Sequence, residues 1–594
     1  MTEEYIKKLN KLLKIERDFE KEKNTKLIIE SITNNSPLTD KTLDNIVSTS
    51  FKGSVDGVKL KIPKNSKVNI NIEDRILISD KENLAKNSEA IVCKKNKNSI
   101  IAKLIKNNFP KYKIPKLTRV DLLVKDSEYY KMSDNLEESN KVRETICFIV
   151  DELTPKNKKI DKINFFDETL NKNQQKAVLR SMAAEDFFLI HGPFGTGKTK
   201  TLIELIRQEN KKNSKILVTA DSNAAVDNIV ERLMEFNLKI TRIGNYQEVK
   251  KEVKDTTLKN KIKNHDQYYK IEEIYEIIND TNLELSHDDV NNYYNEIKKN
   301  LDIIKKDIIY NSDIILTTNS SAALNEISEV KFDVLIVDEA SQATIPKILI
   351  PIAKAKKFIL AGDHKQLPPT VMSEDAKELE KTLFEKLINK YPNQSLLLNI
   401  QYRMNKTLMD FPNKMFYNNE LKCSDDVKNI KLDYVVNDYD IDFPLLFINT
   451  SRSNEKDNKF NTSYYNNLEA KLAINFIKDY INLGINEKDI GIITHYSRQK
   501  SLIKDILESN GLNIKVSTVD GFQGSEKDII IISNVRSNDE KDIGFLNDKR
   551  RLNVALTRAR KKLIIIGDVE TLKRNEIYKK LIKYCDDKLI IQKY

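Results

Sequence analysis

Apolar positions change their spacing along the chain, and each change announces a different element. Across residues 3–33, Tyr5, Leu9, Leu12, Leu13 and Phe19 recur near helical spacing among Lys and Glu, which predicts a long helix exposed on one side, a stalk. From about residue 45 to 125 the texture shifts to short β-rich runs, "GVKLKI", "SKVNINI", "DRILIS" and "EAIVCKK", separated by Asn, Asp, Ser and Gly, the spacing of a small antiparallel barrel. A polar helical stretch follows near 127–147. From 165 onward, apolar strands ("FFLIH", "KILVTA", "DIILTT", "VLIVDEA", "KFILAGD") alternate with amphipathic helices, as in a parallel α/β sheet. Residues 247–310 interrupt that series with Lys, Glu, Tyr and Ile in helical order and no strand signal, a helical insertion. A second α/β series, "PLLFINT", "DIGIIT", "NIKVSTVD", "DIIIISNV" and "KLIIIGD", fills 443–568. The predicted layout is a stalk helix over 1–44, a β-barrel insertion over 45–125, a second stalk or linker over 126–164, a first α/β domain over 165–425 and a second over 426–594.

Composition narrows the class only slightly. At 594 residues the chain is too long for one core and should hold roughly three to five domains. Lys and Arg number 100 against 89 Asp and Glu, a net charge of +11; this suits a polyanionic partner and equally suits a chain simply rich in Lys, Ile and Asn. The opening "MTEEYIKKLN" is charged from its third residue, and no apolar run approaches the roughly 18 residues of a membrane span, so a soluble, cytoplasmic protein is expected. Cys93, Cys147, Cys423 and Cys585 lie far apart with no CxxC pair, which argues against a zinc finger, an iron–sulfur cluster and a disulfide framework.

The candidate chemistry begins at "HGPFGTGKTK". Gly192, Gly197, Lys198 and Thr199 have the phosphate-loop spacing between an apolar strand and a helix, with Gly195, Thr196 and Lys200 completing the expected nucleotide contacts. Glycines let backbone N–H groups close on phosphate oxygens, Lys198 neutralises the β- and γ-phosphates, and the Thr199 hydroxyl reaches Mg²⁺. "VLIVDEAS" ends a buried strand in Asp338 and Glu339, one carboxylate to hold Mg²⁺ and its neighbour to polarise the attacking water. A kinase or a switch would fit these residues as well as a motor.

The motifs that follow discriminate. "LNKNQQKAV", "GPFGTGKT", "ADSNAAVDNIVERL", "DEASQA", "GDHKQLPP", "QYRM", "VDGFQGSEKD" and "RRLNVALTRARKKLIIIGD" stand in the order found in superfamily 1 helicases. The sequence resembles most the Upf-like branch, from about Leu170 to Asp568 and more weakly over the "KLLKIERDFEKE" stalk and the barrel. The resemblance implies two tandem RecA-like P-loop domains, ATP and Mg²⁺ as cofactors, single-stranded RNA or DNA as partner, a monomeric motor and 5′-to-3′ polarity. It assigns Gln174 to the adenine edge, Tyr402 to stacking on the base, Gln366 to sensing the γ-phosphate, and Glu526 to the ribose. Arg403 and Arg558 would complete the charge cage from the second domain. Ser222, Asn223, Thr318, Asn319, Thr494 and Thr518 would line the strand, although hydroxyls at strand ends also serve as caps.

Three positions depart from the family, which usually has Pro where Phe194, Asp221 and His495 stand. Phe194 leaves the phosphate-binding positions intact, so hydrolysis is expected to survive, whereas an acid at Asp221 beside a phosphate track weakens binding, and His495 alters the same side. The leading expectation is an ATP-driven translocase and helicase. The alternatives are an ATP-gated clamp that remodels complexes without unwinding, and a nucleotide-dependent switch or kinase that the second domain and its two arginines disfavour.

Overall fold

Short strands with alternating apolar residues need a closed surface to bury one face, and the antiparallel runs find it in a barrel. The computed structural model describes residues 1–33, 42–51, 57–62, 68, 70–80, 86–96, 99–106, 117–150, 153–159, 162–280, 283, 286–432 and 434–594. β1 (Thr42–Phe51), β2 (Gly57–Lys61), β3 (Arg75–Asp80), β4 (Asn87–Asn96), β5 (Ser99–Lys106) and β6 (Leu117–Val124) close in the order β1-β2-β5-β4-β3-β6. Ile46, Val58, Leu60, Ile76, Ile78, Val92 and Val120 fill the interior. Of the strand expected over 66–72, Ile70, Asn71 and Ile72 lie in no strand, Val68 and Ile70 enter the barrel core, and residues 66, 67 and 69 lie outside the described residues.

The predicted stalk helix is α1 (Thr2–Thr33), and it is tied in rather than free-standing. Its Ile6, Leu9, Leu12 and Leu13 pack with Met132 and Leu136 of α2 (Asp126–Glu138) and with Val142, Ile146 and Phe148 of α3 (Asn140–Val150). This cluster is continuous with the core beneath the first parallel sheet. Phe19, counted in the predicted stripe, is 40 % exposed; the buried side runs instead through Glu16, Asn24 and Ile28. Asn24 donates to the Leu123 carbonyl at 2.7 Å, and Arg17 of α1 and Arg75 of the barrel both reach Asp126. The carboxylate of Glu16 accepts the backbone N–H groups of Met372 at 2.7 Å and Ser373 at 2.9 Å.

Both α/β series form wholly parallel sheets, as strands apolar on both faces require. The first contains β7 (Phe187–His191), β8 (Ile216–Ala220), β9 (Ile240–Arg242), β10 (Ile314–Thr318), β11 (Phe332–Asp338), β12 (Ala355–Gly362) and β13 (Ser395–Leu397), in the order β13-β7-β12-β11-β8-β10-β9. Helices α4 (Lys172–Ala183), α5 (Lys198–Lys211) and α6 (Asn223–Leu233) cover one face. Helices α7 (Leu258–Lys263), α8 (Tyr269–Asn279) and α9 (His287–Tyr310) occupy the stretch read as a helical insertion. After the two-stranded pair β14 (Ile400–Gln401) and β15 (Lys422–Cys423), the second sheet draws on β16 (Leu445–Asn449), β19 (Ile490–Thr494), β20 (Lys515–Thr518), β21 (Lys527–Ser533), β22 (Ala559–Gly567) and β23 (Ile591–Lys593), in the order β20-β19-β21-β22-β16-β23. Between β16 and β19 lies a hairpin of β17 (Asn458–Phe460) and β18 (Ser463–Tyr465).

The sequence assigned residues up to 425 to the first domain, but Met404, Leu408, Met409, Phe411 and Phe416 pack in the core of the second. The chain therefore changes lobe shortly after β13. Among the described residues no helix is long and apolar enough to cross a membrane.

One strained point in the second lobe has a testable consequence. Val535 holds φ +71°, unusual for a β-branched residue, just past β21. Its N–H and the Ser533 hydroxyl both donate to buried Glu469, at 2.8 and 2.7 Å. Burial pushes that carboxyl up from 4.5 to about 8. A raised carboxyl stabilises the fold at low pH and loses that contribution as pH climbs from about 4.5 through about 8. Glu469→Gln should flatten this slope, so its thermal midpoint should gain on the natural protein by a few degrees between pH 5 and 9. Parallel midpoint curves would show that Glu469 does not titrate in the fold.

Candidate nucleotide site and strand track

The phosphate loop is shaped by backbone before any side chain matters. After β7 the Gly192 N–H donates to Gly362 at 3.0 Å, and Gly195 (φ +66°) and Gly197 (φ +74°) take left-handed turns. Gly197 is the cap of α5 and supplies no side-chain hydrogen bond, which leaves the first-turn N–H groups for an anion. A Cβ on Gly195 would lie 2.5 Å from Arg403 Cβ, and one on Gly197 would lie 2.5 Å from Gln174 Nε2. Glycine there lets the loop touch both the second lobe and the base end of the site. The Thr196 hydroxyl donates to Pro193 O at 2.8 Å, and Lys200 lies 3.3 Å from Asp167 at the rim.

Lys198 and the acids meet where α5 faces the end of β11, and Thr199 is the next residue of α5. Lys198 Nζ lies 3.2 Å from Asp338 and 2.6 Å from Glu339. Burial works against the lysine charge, but the two carboxylates outweigh it and hold the amine above its ordinary value. Asp338, buried beside Glu339, is itself pushed upward. Glu339 sits at φ +52° and accepts from Gln342 at 3.0 Å, which aims its carboxylate toward the loop.

At the other end, Gln174 is fully engaged. Its Oε1 accepts from Asn171 N at 2.9 Å in a capping box, and its Nε2 donates to Thr196 O at 3.1 Å, so it braces the phosphate loop. Tyr402 is 40 % exposed, takes a hydrogen bond from Asn171 Nδ2 at 2.9 Å, and donates its backbone N–H to Gly195 O at 2.8 Å. An exposed ring beside this capped helix start is a fit platform for a planar base.

The two arginines arrive from the far side. Arg403 donates to Thr557 O at 3.1 Å and pairs with Glu526, so the expected ribose ligand is held by an arginine here. Arg558 is 2 % exposed and has no carboxylate partner among the described residues; it donates to Val554 O and Thr557 Oγ1, both at 2.9 Å. Burial, reinforced by neighbouring Arg403, depresses it to about 9. Gln366 donates to Asp363 at 2.8 Å. Asp363 also meets His191 at 3.0 Å and Tyr417 at 2.7 Å. Burial would raise that carboxyl, but His191, Tyr417 and Gln366 overcome it and hold it at about 2. His191, Asp363 and His364 are close enough to ligate a metal, yet Asp363 is already saturated with donors.

The strand-track residues all sit at or just beyond the carboxyl ends of β8, β10, β19 and β20. Ser222 caps α6, accepting from Ala225 N at 3.2 Å. Asn223 is held from both ends by Glu248 and Arg242, each at 2.6 Å, and Thr318 bonds Ser321 at 2.9 Å. Asn319 is buried, and neither amide atom has a partner among the described residues. Thr494 is buried, and Thr518 precedes a short helix without bonding it. Of the departures, Asp221 lies 2.8 Å from Lys347 Nζ, which offsets the acid that sequence alone set against binding. Both His495 ring nitrogens are buried without partners among the described residues, and burial with Arg551 nearby lowers it to about 3. Phe194 leaves its own lobe and packs in the second lobe's core, 5.6 Å from the Tyr417 ring.

Sequence reasoning missed Asn171, Tyr417, Thr557 and Asn553. Asn553 donates across the cleft to Lys365 O and, within its own lobe, to Tyr417 Oη, both at 2.9 Å. A signal existed for Asn171, which stands three residues before Gln in the capping-box pattern.

Two family models described as AAA domain match the chain, one over residues 169–292 and 278–374 and the other over 379–570. The chain is 36% identical to an uncharacterized ATP-dependent helicase of Methanocaldococcus jannaschii, across 98% of this chain and 96% of that protein. It is 35% identical to the DNA polymerase alpha-associated DNA helicase A of Schizosaccharomyces pombe, across 73% of this chain and 69% of that protein. It is 33% identical to a regulator of nonsense transcripts 1 homolog of Neurospora crassa, across 70% of this chain and 38% of that protein.

Proposed function

The chain belongs to the Upf-like superfamily 1 helicases and is an ATP-dependent helicase, and from that premise we propose that it translocates 5′ to 3′ along single-stranded RNA or DNA as a cytoplasmic monomer. One observation carries the mechanism: Arg558, a buried cation with no carboxylate partner among the described residues, stands beside Arg403 on the second lobe. A buried unpaired cation is costly unless an anion arrives to meet it.

In this reading Lys198 leaves its two acids for the β- and γ-phosphates, and the first-turn N–H groups of α5 take the remaining oxygens. Thr199 and the freed Asp338 would hold Mg²⁺, which neutralises phosphate charge. Glu339 polarises the attacking water, and Gln366 reports the γ-phosphate. Tyr402 stacks on the base over the Asn171–Gln174 cap, and Glu526 exchanges Arg403 for the ribose hydroxyls. Arg403 and Arg558 then bind the γ-phosphate from the second lobe, which closes the cleft; hydrolysis reopens it. The strand lies across Ser222, Asn223, Thr318, Asn319, Thr494 and Thr518, so each closure shifts one end of it relative to the other.

Strand displacement tests the reading directly. Duplexes with a 5′ single-stranded tail should be unwound with ATP while 3′-tailed ones are not; strand-stimulated hydrolysis without displacement of either would leave a clamp. Glu339→Gln should lower turnover by about 10²-fold or more, because an amide keeps the shape but cannot take a proton, while ATP binding persists. The variant should hold strands tightly when ATP is present, measured by anisotropy, and normal turnover would remove Glu339 from its role.

A further inference from the structure

Three residues past Thr494, a helix (Ser497–Ser509) begins, and the β17–β18 hairpin is docked on its first turn. Ser463 Oγ of the hairpin accepts the Arg498 N–H at 3.1 Å and lies 3.3 Å from Ser497 Oγ. The Arg498 guanidinium lies over two hairpin rings, 4.9 Å from the centre of Phe460 and 5.9 Å from that of Tyr465. Three other arginines of the second lobe are paired with acids: Arg536 with Asp457 and Asp542, Arg550 with Glu385, Arg551 with Asp520. Arg498 has no carboxylate partner among the described residues, and its Nε is buried without a hydrogen-bond partner. The helix it begins has no side-chain cap. The aromatic series continues through Tyr464, Tyr496 and Phe545, at centre distances of 5.5 and 6.0 Å, and the two outer rings, Phe460 and Phe545, are 53 % and 59 % exposed.

A single exposed phenylalanine is ordinary, and a cation over a ring is an ordinary surface pair. Here the guanidinium has its face on aromatic rings and its buried Nε without an acceptor among the described residues, while Ser463 of the hairpin already takes the Arg498 N–H. That combination asks for an anion attached to something flat. We propose that this corner is a nucleotide station on the second lobe, in which one strand phosphate sits on the Arg498 guanidinium while a base stacks on Phe460. The proposal rests on the strand passing Thr494, and it assigns binding energy to residues outside the track named above.

The test is fluorescence anisotropy of labelled oligo-dT and oligo-U against the whole protein over a salt series. Arg498→Ala should weaken binding and reduce the slope of log affinity against log salt by about 0.7, the contribution of one phosphate on a single strand. Phe460→Ala should leave the slope unchanged and weaken binding about 5- to 150-fold, the range for one stacked base. Phe460→Tyr should restore it, and on an abasic strand Phe460→Ala should match the natural protein. Unchanged thermal midpoints would confirm that both variants fold. If the natural protein binds strands and both variants match it in affinity and slope, the station is overturned while the motor reading stands. If the natural protein binds no strand at any salt, both fall.

Discussion

Lys198→Ala should cut strand-stimulated ATP turnover by at least about 10³-fold and also lower the thermal midpoint. The first effect follows from losing the charge that meets the phosphates. The second follows from what Lys198 does in the structure, where it lies 3.2 Å from Asp338 and 2.6 Å from Glu339 with only 11 % of its side chain exposed. Removing one partner of a buried ion pair leaves uncompensated charge, a more severe change than never having had the pair. Asp338 is already pushed upward by burial beside Glu339, so without the lysine it should take up a proton to remain buried. A carboxyl raised in the fold contributes stability that is lost as pH rises, so the variant's midpoint should fall further at pH 8 than at pH 6. Lys198→Arg should keep most of the stability while still impairing turnover, since a planar fork does not replace a point charge inside a close-fitting loop. Scanning calorimetry at the two pH values beside steady-state kinetics reads both effects. A Lys198→Ala protein as stable as the natural one at pH 8 would mean that the acids do not depend on the lysine.

Arg558→Met makes the opposite pairing of effects. Turnover should fall by about 10³- to 10⁵-fold, the worth of an arginine delivered to a γ-phosphate, while ATP affinity stays within about tenfold because the lost contact forms chiefly in the transition state. Stability should hold or rise. The guanidinium is 2 % exposed, is depressed to about 9 by burial and Arg403, and bonds only uncharged groups, so an apolar side chain of similar length removes an unfavourable charge. Function purchased with stability is what an active-site cation of this kind implies. If Arg403→Ala loses turnover and Arg558→Met keeps it, Arg403 is the finger. If both hydrolyse normally with a strand bound, the loop works without the second lobe.

The parts of this molecule that were legible in the sequence are those set by neighbours along the chain. A phosphate loop needs only its own glycines and the helix after it, and β11 carries Asp338 and Glu339 at the end of an uninterrupted apolar run. What escaped depends on partners far away. Segment 401–425 follows the first sheet in sequence, yet its apolar side chains find their complement in the second lobe. Asp221 looked harmful to strand binding until Lys347, 126 residues on, was seen beside it. Phe194 was expected to be neutral, but it is an apolar link from the phosphate loop into the other lobe's core. Asp363, three residues before Gln366, also gathers His191 and Tyr417 from two distant stretches, and no local pattern announces that meeting.

Glu16 adds a constraint of time. Its carboxylate closes the segment just beyond Gln366 by accepting the N–H groups of Met372 and Ser373, 356 and 357 residues further along. At about 5 to 20 residues per second of synthesis, on the order of tens of seconds separate the two halves of this contact on the ribosome. α1 and the barrel can pair during that interval, while the Glu16 carboxylate is satisfied only once Met372 and Ser373 of the first lobe have emerged. The nascent chain therefore carries an unfinished seam between α1 and the first lobe until most of that lobe has emerged, and a pause in translation before residue 373 would prolong the interval in which the seam stands open.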